Sequence, residues 1–387
     1  MMPMPDYYEF LNYPKIVSGQ FALENIPSEL DGYHAQKPLV ITSKSIVQRG
    51  LTKQFVKAFY DSTVVLGGIY DEVRDYAGIS QAREAAQLYK ARGCDALIAL
   101  GNGPVVDLAK AVNILVSENL DHLGPHFDGA APARPLKPLI VVPACSFNGW
   151  EATHAMTVDN RRLVADALYP AAVFIDERIT IGCCPECLAE TGIIALAQAF
   201  EAMTADGHNP MIDALAHPAL NLLAQHLANG APRPSDSSAC MALANAATMA
   251  AAAFCNAPPG MAHLLTEALG RATGIAPGKL MAIILPAVID MLQEQRTPIK
   301  DDVLLALAGL EQFATSAGPD RGRSSLRIML TLVDSLKKTL PALREAFQIQ
   351  RHLLDQVAHE AAGNSAGRFT VPQCLTVLTQ AIQEPAS

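Results

Sequence analysis

The sequence predicts an α/β domain on a parallel, doubly wound sheet, followed by an all-helical domain. Two patterns carry this reading: short apolar runs alternate with helix-like segments through the first half, and helical periodicity dominates from about Ile181 onward. Length agrees, because 387 residues exceed what one compact core usually holds. The division falls at residues 1–180 and 181–387.

Taken in order, residues 38–42 (PLVIT) and 96–100 (ALIAL) are apolar runs suited to strands buried on both faces. Between them, residues 80–93 place Ala82, Ala85, Ala86 and Tyr89 on one side of a helix, with Ser80 as N-cap and Gly93 as the stop. Residues 139–142 and 172–176 fit further strands, and strands alternating with helices imply a parallel sheet. Pro/Gly/Ser stretches at 229–238 and 317–325 break the helical half. Residues 241–254 are mostly Ala, interrupted by Asn245, and read as a buried helix too short to span a membrane.

Half of the residues are apolar and 17% are charged, which excludes a disordered chain. A net charge of −9 without a Lys/Arg cluster argues against nucleic-acid binding and for a small-molecule partner. Residues 1–10 lack the basic start and apolar stretch of a secretory signal, so the expected compartment is the cytoplasm. There the eight cysteines do not form a disulfide framework. Cys183, Cys184 and Cys187 make a CCxxC without a second Cys/His pair at zinc-finger spacing, and read as an incidental thiol cluster rather than a redox pair or half a zinc site.

The run 96–100 leads directly into Gly101-Asn102-Gly103-Pro104, with a helix starting at Pro104. Glycines at a strand-to-helix turn let the backbone approach a pyrophosphate, whose charge the helix N-terminus stabilises. Proline is tolerated there because its missing N–H is an orphan in any case. A tight turn without a ligand explains the same residues equally well.

At this point the chain resembles the iron-containing (group III) alcohol dehydrogenases, whose fold is shared with dehydroquinate synthase. The GNGPVVDLAK stretch resembles their GGGSxxDxAK and keeps Gly101, Gly103, Asp107, Ala109 and Lys110. Pro143 to Glu151 resembles PTTAGTGSE, Phe174 to Thr180 resembles the strand ending in DPxLT, Thr191 to Glu201 resembles TGxDALTHAIE, and Gly260 to Gly270 resembles GxxHAxxHxLG. The resemblance implies a dinucleotide domain, a helical metal-site domain, a cleft between them, and a homo-oligomer.

It also implies a metal held by one Asp and three His, and those positions fall on Ile194, Gln198, His263 and Pro277. Only His263 survives. No His lies between Leu264 and Arg351 or between Asp159 and Gly207, so a small register error does not restore the set. One imidazole does not hold a catalytic metal, and no iron is expected. Metal-free maleylacetate reductases in the same superfamily imply that such a loss does not end catalysis. The second His of HxxxH, beside the nicotinamide in the family, is Glu267 here.

The implied cofactor site is altered as well. Pro104 replaces a serine, Ala144 and Cys145 replace paired threonines, and Phe147, Asn148 and Trp150 replace small residues. Ser43 stands where many members have an acid that contacts the adenosine ribose, and Lys44 follows it, so NAD and NADP are equally open. The cofactor-site residues expected are Gly101, Asn102, Gly103, Asp107, Ser43 and Cys145; the expected proton-handling residues are His263, Glu267 and His154. The Arg161-Arg162 pair is either a surface charge pair or near the cofactor ribose, and His352 and His359 read as structural. Two functions follow: an NAD(P)-linked oxidoreductase on a small alcohol, aldehyde or oxo acid without iron, or a catalytically silent paralogue serving as a binding or assembly subunit. A different metal bound by Glu267, His263 and Cys145 is a third reading.

Overall fold

In the computed structural model, all residues are described except 1–4, 13, 75, 133–134, 145–148, 182, 208, 342–348, 350 and 384–387. Two compact units emerge: residues 12–184 with 234–248, and residues 1–11, 185–233 and 249–387.

The first unit is built on strands β1 (Lys15–Gly19), β2 (Pro38–Ser43), β3 (Gly68–Val73), β4 (Ala96–Gly101), β5 (Leu139–Pro143), β6 (Ala155–Val158), β7 (Arg161–Val164) and β8 (Ala172–Asp176). Six of them form one parallel sheet in the order β1-β8-β5-β4-β2-β3. The apolar runs of β4, β5 and β8 are buried throughout, as strands covered on both faces require. β6 and β7 form an antiparallel hairpin, turned by Asp159 and Asn160 at φ 47° and 60°. Both residue types tolerate this left-handed backbone, which suits a two-residue hairpin turn.

Helix α1 (Ile79–Arg92) precedes β4 and α2 (Gly103–Glu118) follows it. The N-cap of α1 is Gly78 rather than Ser80. Gln81 Oε1 accepts the Gly78 N–H at 3.2 Å, and Asp159 Oδ2 accepts that of Ile79 at 3.2 Å, so the orphan donors are met two residues earlier than expected.

The remaining long helices are α3 (Pro185–Thr204), α4 (Pro210–Leu227), α5 (Ser237–Cys255), α6 (Met261–Thr273), α7 (Pro277–Glu294), α8 (Asp301–Thr315), α9 (Gly318–Lys337), α10 (Arg351–Gly363) and α11 (Val371–Gln383). α3 is buried on nearly all sides from Leu188 to Met203, the pattern of a central bundle helix. It approaches α4 closely at Gly192, where a Cβ would lie 2.9 Å from Leu227 Cδ1.

Two expectations need correction. α5 has 19 residues, not 14, because Asp236 accepts the Ala239 N–H at 3.0 Å and starts the helix earlier. By length and composition it is able to cross a membrane; 56% of its apolar window is buried inside the fold, as in a core helix. Cys184 and Cys187 are disulfide-bonded, so the CCxxC is not a cluster of three thiols. A spacing of three at a helix start brings the two side chains together. Cys183 is buried and its Sγ donates to Thr180 O at 3.0 Å.

Candidate active site

β4 ends at Gly101 and Asn102 caps α2 in an extended conformation. A Cβ on Gly101 would sit 2.7 Å from Val105 Cγ2, so glycine is what lets the strand turn directly into the helix. Gly103 opens α2 and Pro104 occupies its second position, presenting a helix N-terminus without bulk. β2 lies alongside: Ile41 pairs with Ala99, and Thr42 Oγ1 donates to Leu100 O at 2.7 Å. The chain steps from β2 out to β3 and then back across to β4, so the sheet's switch point falls between β2 and β4. Ser43 and the glycine turn therefore flank the crevice where open parallel sheets bind nucleotides. These residues fit a dinucleotide's pyrophosphate.

Asp107 and Lys110 act inside the fold. Lys110 is 1% exposed and its Nζ donates to Thr153 O at 2.7 Å and Ala155 O at 2.8 Å, tying α2 to the approach to β6. The Asp107 carboxylate accepts the Thr157 backbone N–H, while its buried Oδ1 has no partner among the described residues. Burial raises the Asp107 pKa well above the usual carboxylate range, with Lys110 opposing. Asp107 is thus anchored to β6 through one carboxylate oxygen. Glu151 is likewise buried and pushed up to about 7, with the Thr248 hydroxyl 3.2 Å from its Oε1. Cys145, Phe147 and Asn148 lie outside the described residues.

His154 packs against Tyr169, ring centroids 4.9 Å apart, and its buried Nδ1 has no partner among the described residues. Burial lowers its pKa, which keeps the ring neutral and disfavours the proton-donor role expected for it. Glu267 is also differently employed: its carboxylate is 3.1 Å from Arg271, which pairs in turn with Glu360.

His263 is different. Ile194 and Gln198 lie one turn apart on α3, both buried, and Glu201 follows three residues later on the same helix. Glu201 Oε1 accepts the Ala262 N–H at 2.8 Å, and its Oε2 stands 2.6 Å from His263 Nδ1. Gly260 makes room, since a Cβ there would lie 2.6 Å from Glu201 Cγ. A carboxylate only accepts, so Nδ1 donates to Glu201, and Nε2 is the ring's other polar atom. That Nε2 is buried and has no partner among the described residues. Phe254 covers the ring at a centroid distance of 4.2 Å.

The four positions implied for a metal hold a hydrocarbon (Ile194), a neutral amide (Gln198), an imidazole (His263) and the proline that opens α7 (Pro277). Glu190, one turn before Ile194, fills the space beside Gly278, and burial raises its pKa. Glu201 and Glu190 both escaped the sequence reading. The signal available was a glycine facing each carboxylate from a distant segment, which spacing alone does not reveal.

The fold, a parallel α/β sheet unit and a helical unit, is shared with solved structures. It superposes on a solved 1,3-propanediol oxidoreductase with a TM-score of 0.86 at 20% identity, covering 97% of this chain and 100% of that one. In sequence, residues 14–177 match the iron-containing alcohol dehydrogenase family, and residues 188–377 match the C-terminal domain of the same family. The chain belongs to the iron-containing alcohol dehydrogenase family. It is 28% identical over 294 residues to 4-hydroxybutyrate dehydrogenase of Cupriavidus necator, covering 73% of this chain and 76% of that protein. It is 25% identical over 281 residues to NAD-dependent methanol dehydrogenase of Bacillus methanolicus, covering 71% and 73%.

Proposed function

We propose that this protein is an NAD(P)-linked oxidoreductase of small primary alcohols and their aldehydes that works without iron, with His263 moving the proton. The observation that carries this reading is the His263–Glu201 pair: one nitrogen is pinned by a carboxylate, and the other is buried without a partner among the described residues. A catalytic metal site of this type needs about three protein ligands. Ile194 and Pro277 offer none and Gln198 only a neutral amide, so the donor set does not fit iron. The relatives named above act on 4-hydroxybutyrate and methanol, both small primary alcohols, which supports the substrate class.

When bound, the nicotinamide supplies or accepts the hydride at the carbinol carbon. The glycine turn and the first turn of α2 would hold its pyrophosphate through backbone N–H groups and the helix dipole. In alcohol oxidation Nε2 of His263 takes the hydroxyl proton; in aldehyde reduction the imidazolium returns it to the oxygen. Glu201 fixes the tautomer and stabilises the imidazolium between the two. The carbonyl's developing charge is met by that imidazolium N–H, in place of a Lewis acid.

The replaced ligands also favour a second reading, a catalytically silent member of the family. Comparing the wild type with His263→Ala separates the two. The expected result is NADH affinity within about twofold of wild type and a kcat lowered about 100-fold or more. Unchanged turnover removes His263 from the mechanism, and absence of turnover in the wild type favours the silent member.

A further inference from the structure

β3 is the edge strand beyond β2, and the two ends meet. Ser43 pairs with both Glu72 and Val73 where the register shifts. The exposed Glu72 carboxylate lies 2.7 Å from Nζ of Lys44, the residue directly after Ser43. Its backbone is fixed, because Glu72 O accepts from Gln81 Nε2 at 2.7 Å, and the buried Gln81 also caps α1. The carboxylate missing from the end of β2 is thus returned to the same rim by the neighbouring strand. An exposed ion pair of this kind contributes little to stability, so packing does not explain its presence there.

Ribose recognition does explain it. A carboxylate on this rim accepts the 2′- and 3′-hydroxyls of an adenosine ribose, whereas a 2′-phosphate needs a cation and is repelled by an acid. Lys44 and Arg74 are cations near this rim, and the charge of Lys44 is already matched by Glu72. We propose that Glu72 is the ribose-binding carboxylate of this chain, oriented by Lys44, and that it selects NAD over NADP. This rests on the nucleotide site described above.

Calorimetric titration of NADH and NADPH into wild type, Glu72→Gln and Asp71→Asn tests it without requiring a substrate. Asp71 is the adjacent acid, on the opposite face of the strand. The wild type is expected to favour NADH by about 10-fold or more, and Glu72→Gln to weaken NADH by about 10-fold while leaving NADPH unchanged or tighter. Asp71→Asn is expected to leave the ratio alone. An unchanged ratio in Glu72→Gln overturns the assignment, as does an equal shift in Asp71→Asn, which would report net charge rather than contact. Equal wild-type affinity for both nucleotides overturns the selectivity alone. Binding of neither overturns the nucleotide site itself and this assignment with it.

Discussion

Glu201 does two jobs with its two oxygens, holding the Ala262 backbone at 2.8 Å and His263 Nδ1 at 2.6 Å. The GxxHAxxHxLG resemblance drew attention to His263 in the sequence. Its partner was not legible there, because 62 positions separate them and only the fold brings α3 under the start of α6. Glu267 and His154 were drawn from the family resemblance; in the structure Glu267 contacts Arg271 and His154 packs on Tyr169. Glu151 supplies a prediction of its own. Its carboxyl is raised from 4.5 to about 7 by burial, so between those values the folded protein keeps a proton the unfolded chain has lost. Stability from this group is therefore highest below about pH 4.5 and falls as pH rises toward 7, by about 3 kcal/mol in all. Glu151→Gln carries no such proton. In urea unfolding followed from pH 5 to 8, the variant should gain on wild type as pH rises; parallel curves would contradict the burial argument.

Strands covered on both faces declare themselves as apolar runs, and β2, β4, β5 and β8 were each read from that pattern. β1 and β3 sit at the sheet's two edges with mixed burial, so they carry no such run and escaped notice. The β6–β7 hairpin was hidden in the same way, its turn marked only by Asp159-Asn160. At this scale the loop between α5 and α6 is the sensitive one. Gly260→Ala would drive a Cβ into Glu201, whose carboxylate is pinned at both oxygens and has no easy retreat. We expect a loss of about 1–3 kcal/mol in thermal or urea unfolding, together with a fall in turnover. A neutral Gly260→Ala would show that the pairing is looser than described.

The chain keeps the fold of its family, and the positions that the sequence resemblance implies for a metal hold Ile194, Gln198, His263 and Pro277. The two-part architecture could be read from the change of periodicity near Ile181; the return of residues 234–248 to the α/β unit could not, since that stretch looks like the helices around it. The α/β unit has the glycine turn at its switch point, and the helical unit has an imidazole oriented by a carboxylate. The most direct test is the initial rate of NAD-dependent oxidation of small primary alcohols, 4-hydroxybutyrate and methanol among them, by chelator-treated protein before and after addition of Fe²⁺ or Zn²⁺. Turnover by the chelated protein, unchanged by either metal, is the predicted result. Activity that appears only when metal is added, or no activity in either state, would contradict it.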